Sequence, residues 1–137
     1  MNQPHVHILM GTKNAGAFLS DQLASIRRQN HRDWSLWISD DSSIDSTWEG
    51  LLDFRSNTPE YDIRLLKGPN VGVAANYFYL LAQRELAGQW VAFCDQDDVW
   101  LPHKISRGVK LLKDRENSHV YSSRSFYVDA KLSGIGV

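Results

Sequence analysis

The sequence predicts an α/β fold, a mostly parallel, twisted sheet with helices on both faces. Two observations predict it. Short apolar runs alternate with longer amphipathic stretches along the whole chain, the pattern of strand–helix–strand units joined by right-handed crossovers. Polar clusters follow three of the apolar runs, and in such sheets ligands bind outside the carboxyl ends of the strands.

Residues 5–10 form the first predicted strand. Phe18, Leu19, Leu23 and Ile26 recur at helical spacing and predict a helix over about residues 15–29. Residues 34–39 alternate aromatic and polar side chains and read as the second strand. Ser46-Thr47-Trp48-Glu49 has the form of a capping box, opening a helix that runs to about Arg55, and Pro59 ends that region. Residues 63–66 are a short third strand, followed by a turn at Gly68-Pro69-Asn70. Val73, Tyr77, Leu80 and Leu81 mark one face of a third helix that ends near Gly88. Residues 90–94 are the fourth strand. Pro102 suits the first turn of a helix whose inner face carries Ile105, Val109 and Leu112. Residues 120–128 read as a fifth strand.

The bulk composition narrows the function classes. The length of 137 residues suits a single domain, residues 1–137, with no linker or repeat to divide it. A net charge of -1 gives no general attraction to nucleic acid or to an anionic membrane. The single cysteine, Cys94, rules out an internal disulfide and a cysteine-based zinc site, and its apolar setting marks it as a core residue. No apolar run approaches the roughly 18 residues of a membrane span, and there is no signal-peptide pattern at the N-terminus. The expectation is a cytoplasmic protein, with association at the inner membrane face left open.

The polar clusters carry the chemistry. An apolar run ends abruptly in Asp95-Gln96-Asp97-Asp98. Like charges this close repel, and a cation would offset the repulsion. Asp95 and Asp97 alternate at a strand end and can aim both carboxylates into one site. Such hard oxygen ligands suit magnesium or manganese, with waters and substrate phosphates completing the shell. The plainer reading is a solvated acidic turn that caps the next helix. An EF-hand loop is a poor fit because its glycine and terminal glutamate are missing. After the second strand, Asp40 and Asp41 could accept hydrogen bonds from a base or a ribose, whereas Asp45 and Ser46 read as helix caps. After the first strand, Thr12, Lys13 and Asn14 form a loop on the same rim, and Lys13 could meet a phosphate as a point charge. Asn70-Val71-Gly72-Val73 leads into a helix whose first amides could face an anion. Trp100 reads first as core and second as a pocket wall. The five histidines lack metal-ligand spacing.

In this order and spacing, VHILMGTKNAG, DDSSIDST, NVGVAAN and FCDQDDVWLPHKI resemble the family-two glycosyltransferases of the GT-A fold, a Rossmann-like architecture. The resemblance covers nearly the whole chain, and DQDDVWLP is similar to transferases that build rhamnose-containing and other cell-surface polysaccharides. The resemblance implies a metal-dependent, inverting transfer of a sugar from a nucleotide-diphospho-sugar, UDP- or dTDP-linked, to a hydroxyl of a saccharide or lipid-linked acceptor. It implies that Thr12 and Asp41 hold the nucleoside, with Lys13, Asn14 and Asp40 beside them. Asp97 would be the main ligand of a manganese or magnesium ion, Asp95 would reach the metal or the ribose, and Asp98 would support the pair or reach the sugar. The chain departs from the family pattern at Lys13 (frequently aromatic), Ser42 (usually glycine) and His103 (commonly acidic). Full-length members carry a further acceptor-binding half that holds the catalytic base. That half is expected to be absent here, which leaves the base unassigned and a sheet edge open to homodimerisation. The alternative expectation is a catalytically incomplete module of the same fold that binds a nucleotide or a partner. A nucleotidyltransferase would need a glycine-rich basic loop after the first strand, which GTKNAG does not supply.

Overall fold

The computed structural model describes residues 3–136. Its main sheet has four strands, all parallel: β1 (Val6–Thr12), β2 (Trp34–Asp40), β3 (Ile63–Lys67) and β4 (Trp90–Cys94). Their spatial order is β3-β2-β1-β4. Val6 is in register with Trp34 on one side and Trp90 on the other. Helices α1 (Leu19–Arg27), α2 (Thr47–Ser56), α3 (Val73–Leu81) and α4 (Lys104–Lys113) fill the connections. The predicted α/β class and the helices on both faces are what the structure has.

Side chains alternate across a strand, so each strand feeds two cores. On one face Val6, Ile8, Met10, Leu36 and Ile38 pack against α1, α2 and α4 through Leu19, Leu23, Ile26, Leu51, Ile105 and Val109. On the other, Leu9 and Trp37 pack against Leu80 of α3 and against Leu86. Each of these apolar side chains contributes about 1.5–3 kcal/mol by leaving water. Every residue of β2 is buried, because β2 is central and covered on both faces. Cys94 and Trp100 both belong to the larger core.

Several element boundaries differ from the sequence reading. Helix α1 begins at Leu19, not near residue 15. The amides of Ala15 and Gly16 turn instead to Thr47 Oγ1 (2.8 Å) and Asp45 Oδ2 (3.1 Å), so this stretch docks onto the start of α2. The expected capping box is not formed. Ser46 makes no side-chain cap, and Asp45 Oδ1 accepts the Thr47 amide at 3.0 Å. Helix α3 stops at Leu81, and a separate 3-10 turn, Arg84–Leu86, precedes Gly88 at φ +72°. Pro102 lies in the turn before α4, which starts at Lys104.

The fifth strand is the largest correction. Only Tyr127–Val128 (β5) is extended, and it pairs antiparallel with Gly134–Gly136 (β6), apart from the main sheet. Asp129 Oδ1 accepts the amides of Lys131 and Ser133, both at 2.9 Å, and closes the local hairpin. The apolar side chains of this stretch, Val120, Phe126, Tyr127 and Val128, stay exposed. Among the described residues no helix is long and apolar enough to cross a membrane.

Candidate functional site

Strand order reverses beside β1: β2 and β3 lie to one side and β4 to the other. A crevice opens at such a switch point, at the carboxyl ends of the strands. A cleft of about 400 Å³ occupies that place, and Lys13, Asp41, Tyr77, Asp95, Gln96 and Asp97 are among its walls. A second cleft, about 340 Å³, lies between α1 and α2. Its walls are largely apolar, and its one basic group, Arg27, is paired with Glu60 at 3.1 Å.

The neighbours Asp40 and Asp41 do different things. Asp40 is buried at the end of β2. Its carboxylate accepts from Thr12 Oγ1 (2.9 Å), from Ser43 Oγ (2.6 Å) and from the Ser43 amide (3.1 Å). These bonds tie the end of β1 to the loop after β2. Thr12, itself buried, has its hydroxyl committed to Asp40. Asp41 faces the cleft, but its carboxylate receives the amides of Asn70 (2.6 Å) and Gly72 (3.3 Å). The anion that meets the amides leading into α3 is thus Asp41 itself.

Lys13 works as a buckle. Its Nζ donates to the Asp41 carbonyl and to Asn70 Oδ1, each at 2.9 Å, and its amide donates to Gln96 Oε1 at 2.7 Å. The loops after β1, β2, β3 and β4 are joined through this one residue. Asn14 stands outside the cleft wall. At φ +50° it receives the Ile44 amide on Oδ1 (2.9 Å) and gives its own amide to Ser43 Oγ (2.8 Å).

The acidic turn after β4 is exposed at Asp95, Asp97 and Asp98. Among the described residues no ion pair joins any of the three to a basic side chain. Partial burial pushes the Asp98 carboxyl above its ordinary value, the charges of Asp95 and Asp97 add to this, and Lys104 opposes it. No three His, Cys, Asp or Glu side chains cluster closely enough to hold a metal ion by themselves among the described residues. Asp95 and Asp97 nonetheless line one cleft with no ion-pair partner among the described residues. Two hard carboxylates with room for waters and phosphate oxygens is the donor set that magnesium and manganese take, so these residues fit such an ion. Asp98 is not part of the cleft wall.

A sequence profile of the description "Glycosyl transferase family 2" matches residues 7–133. The chain belongs to this family.

Two curated relatives are the dTDP-rhamnosyl transferase RfbG of Shigella flexneri and the Escherichia coli enzyme WfgD, named a UDP-Glc:alpha-D-GlcNAc-diphosphoundecaprenol beta-1,3-glucosyltransferase. The first is 33% identical over 117 residues, covering 83% of this chain and 40% of the relative. The second is 28% identical over 118 residues, covering 86% and 45%. Among solved structures, the mannosyltransferase PcManGT of Pyrobaculum calidifontis, in complex with GDP-Man and Mn2+, matches with a TM-score of 0.74 at 22% identity. That match covers 82% of this chain and 33% of the mannosyltransferase, and it establishes a shared fold. The chain spans less than half the length of each of these proteins.

Two wall residues of this family 2 chain escaped the sequence reading. Tyr77 was visible only as part of an apolar helix face. Its hydroxyl donates to the Cys94 carbonyl at 2.7 Å and lies 3.3 Å from Asp95 Oδ1. Burial pushes that hydroxyl well above its usual range, which keeps it a donor. Asn76, buried beneath the cleft, bonds the Ser39 carbonyl at 2.7 Å and receives Ser39 Oγ at 2.5 Å. A lone amide in the apolar run of α3 was the available signal for it.

Proposed function

We propose that this chain is the donor-binding part of a metal-dependent, inverting glycosyltransferase of cell-surface polysaccharide synthesis. Its donor is a UDP- or dTDP-linked sugar, and its acceptor is a hydroxyl of a saccharide or lipid-linked saccharide. The observation that carries this reading is the pair Asp95 and Asp97, without an ion-pair partner among the described residues, on the wall of the switch-point cleft, with Asp41 on the same wall. The printed activities of the two curated relatives, a dTDP-rhamnosyl and a UDP-glucosyl transfer, support the donor class. The Mn2+ and GDP-Man bound by the mannosyltransferase support the use of a metal.

In this reading Asp97 is the main metal ligand, and Asp95 reaches the metal or the ribose. A bound divalent ion supplies Lewis-acid stabilisation of the negative charge that develops on the leaving diphosphate. Asp41 offers acceptor oxygens to a base N–H, and Lys13 holds the loop that carries it. Thr12, Asn14 and Asp40 shape the nucleoside end from below, through the bonds that join the β1 and β2 loops. The setting is cytoplasmic, peripheral to the inner face of a membrane.

Calorimetric titration with UDP, dTDP and GDP, each with Mn2+ and with EDTA, tests the reading. One of the nucleotides should bind only with the metal, and Asp97→Ala should abolish that binding. Equal affinity in EDTA, or no binding of any nucleotide, sinks it. The engagement of Asp41 by Asn70 and Gly72 favours a second reading, a module that holds nucleotide without transferring sugar. Sugar transfer or sugar-nucleotide hydrolysis by this chain would exclude that one.

A further inference from the structure

Helix α1 and the turn that follows it carry a polar seam inside the main core. Gln22, Ser25 and Gln29 are fully buried, in a stretch where Leu19, Leu23 and Ile26 pack as apolar residues. Buried polar side chains are costly unless satisfied, and these three are satisfied largely by one loop. Gln22 Nε2 donates to the Asp95 carbonyl at 2.9 Å and lies 2.7 Å from Cys94 Sγ. Ser25 Oγ receives the Trp100 amide at 3.0 Å and lies 2.7 Å from both the carbonyl and Oε1 of Gln22, between which its one proton is shared. Gln29 Nε2 donates to the Leu101 carbonyl at 2.8 Å, and its Oε1 receives the Ile105 amide at 3.2 Å. The seam therefore holds the backbone at residues 95, 100, 101 and 105, on either side of Asp97, whose own side chain stays free at the surface. From the opposite face of the sheet Tyr77 takes the Cys94 carbonyl. The point where β4 gives way to the acidic turn is gripped from both sides.

We infer that Gln22, backed by Ser25, is a positioning residue for the carboxylate pair Asp95 and Asp97. This inference rests on the donor-site reading above. A turn carrying three like charges has no reason of its own to hold one shape without a cation. Fixing its backbone beforehand lets the two carboxylates meet a metal–diphosphate without first ordering the loop. Leucines at these positions would fill the core but leave the loop's carbonyls and amides without partners. The donors and acceptors of the seam serve the loop that bears the charges.

The test uses Gln22→Leu and Ser25→Ala in this chain, with two readouts. Amide hydrogen exchange reports the order of residues 95–105 without metal. Electron paramagnetic resonance of free Mn2+, with UDP present, reports metal affinity. The expected result is a folded variant whose exchange quickens in residues 95–105 alone, and whose Mn2+–UDP affinity falls by about 10- to 100-fold, the range for groups that orient metal ligands. The inference is overturned if a folded variant keeps wild-type Mn2+–UDP affinity, or if exchange quickens evenly over the whole chain. Should Gln22→Leu not fold, Ser25→Ala decides, because it removes both the acceptor of the Trp100 amide and the hydroxyl that backs Gln22 in its grip on the Asp95 carbonyl. Wild-type protein that binds none of UDP, dTDP and GDP with Mn2+ would refute the donor-site reading instead, a result seen before any variant is made.

Discussion

The amide of Asn70 donates to Oδ1 of Asp41 at 2.6 Å, and the amide of Gly72 reaches Oδ2 at 3.3 Å. The loop after β3 thereby closes on the carboxylate after β2. Asn70 adopts φ +56° and Gly72 φ +105° to present those amides, conformations that asparagine and glycine tolerate best. Asp41→Ala leaves the two amides without their acceptor. The expected cost is about 1–3 kcal/mol of unfolding free energy, measured by urea denaturation without ligand. A nucleotide that uses Asp41 must also compete with these amides, so the Asn70 amide should show one of the largest NMR shifts on titration.

Asp40 and Asp97 should separate stability from binding. Asp40 is buried with three donors, so Asp40→Ala should cost roughly 1.5–3 kcal/mol, the value of hydrogen bonds to a charged group. Asp97 is exposed beside two other carboxylates, so Asp97→Ala should change stability by no more than about 0.5 kcal/mol while removing Mn2+-dependent nucleotide binding. Thermal melts and calorimetry on the same two proteins check both statements.

Gly68 is hemmed in by polar atoms. A Cβ there would press on Asn76 Oδ1, and would lie 2.9 Å from Asp41 Oδ1 and 3.0 Å from Ser39 Oγ. Gly68→Ala should therefore cost about 1–3 kcal/mol, the usual penalty for overpacking. It should also weaken nucleotide binding, because the Asp41 oxygen is among the atoms that must give way. A Gly68→Ala protein with wild-type melting temperature and wild-type affinity would contradict this packing.

Cys94 should be chemically silent in the native state. Burial pushes its thiol well above the usual range, with the charges of Asp98 and Asp95 adding to the effect. The neutral thiol is a poor nucleophile, so labelling by a disulfide reagent should proceed only as fast as the chain opens. The linkage has a definite sign. Above about pH 9 the unfolded chain releases this proton while the folded chain keeps it, so stability falls as pH rises from there. Labelling rates with and without urea, and urea midpoints across that pH range, measure the two effects.

His7 gives the opposite dependence. Burial lowers its pKa, and the positive groups His5 and Arg64 lower it further, against a smaller effect of Asp62. As pH falls through about 6.5 the unfolded chain takes up a proton that the folded chain resists, so stability drops. His7→Asn should flatten the decline in urea midpoint between about pH 7.5 and about pH 5.5. An unchanged slope would show that other groups carry it.

Much of this architecture was legible in the sequence because it is local. The apolar runs at β1, β2, β3 and β4 announced the strands, and the spacing of Leu19, Leu23 and Ile26 announced α1. The polar clusters at three strand ends announced a rim. The boundaries were less legible wherever a segment was claimed by a distant partner. Residues 15–18 looked helical, yet the amides of Ala15 and Gly16 go to Thr47 and Asp45 across the chain. Residues 120–128 read as a further sheet strand, but most of that stretch joins no sheet and its end folds back on β6.

What the sequence determined by itself was the alternation of strands and helices and the presence of acidic residues where strands end. Both follow from side-chain periodicity and turn chemistry, which act within a few residues. What only the tertiary structure decided was which carboxylates face the cleft and which are held inside. Asp40 and Asp41 are adjacent and identical in composition. One is tied to Thr12 and Ser43, and the other is covered by the loop of Asn70 and Gly72. That difference comes from the strand order β3-β2-β1-β4, which brings loops 28 to 83 residues apart together around Lys13. No local pattern encodes it, because contacts across that many residues are set by how the strands pack and not by which residues follow one another.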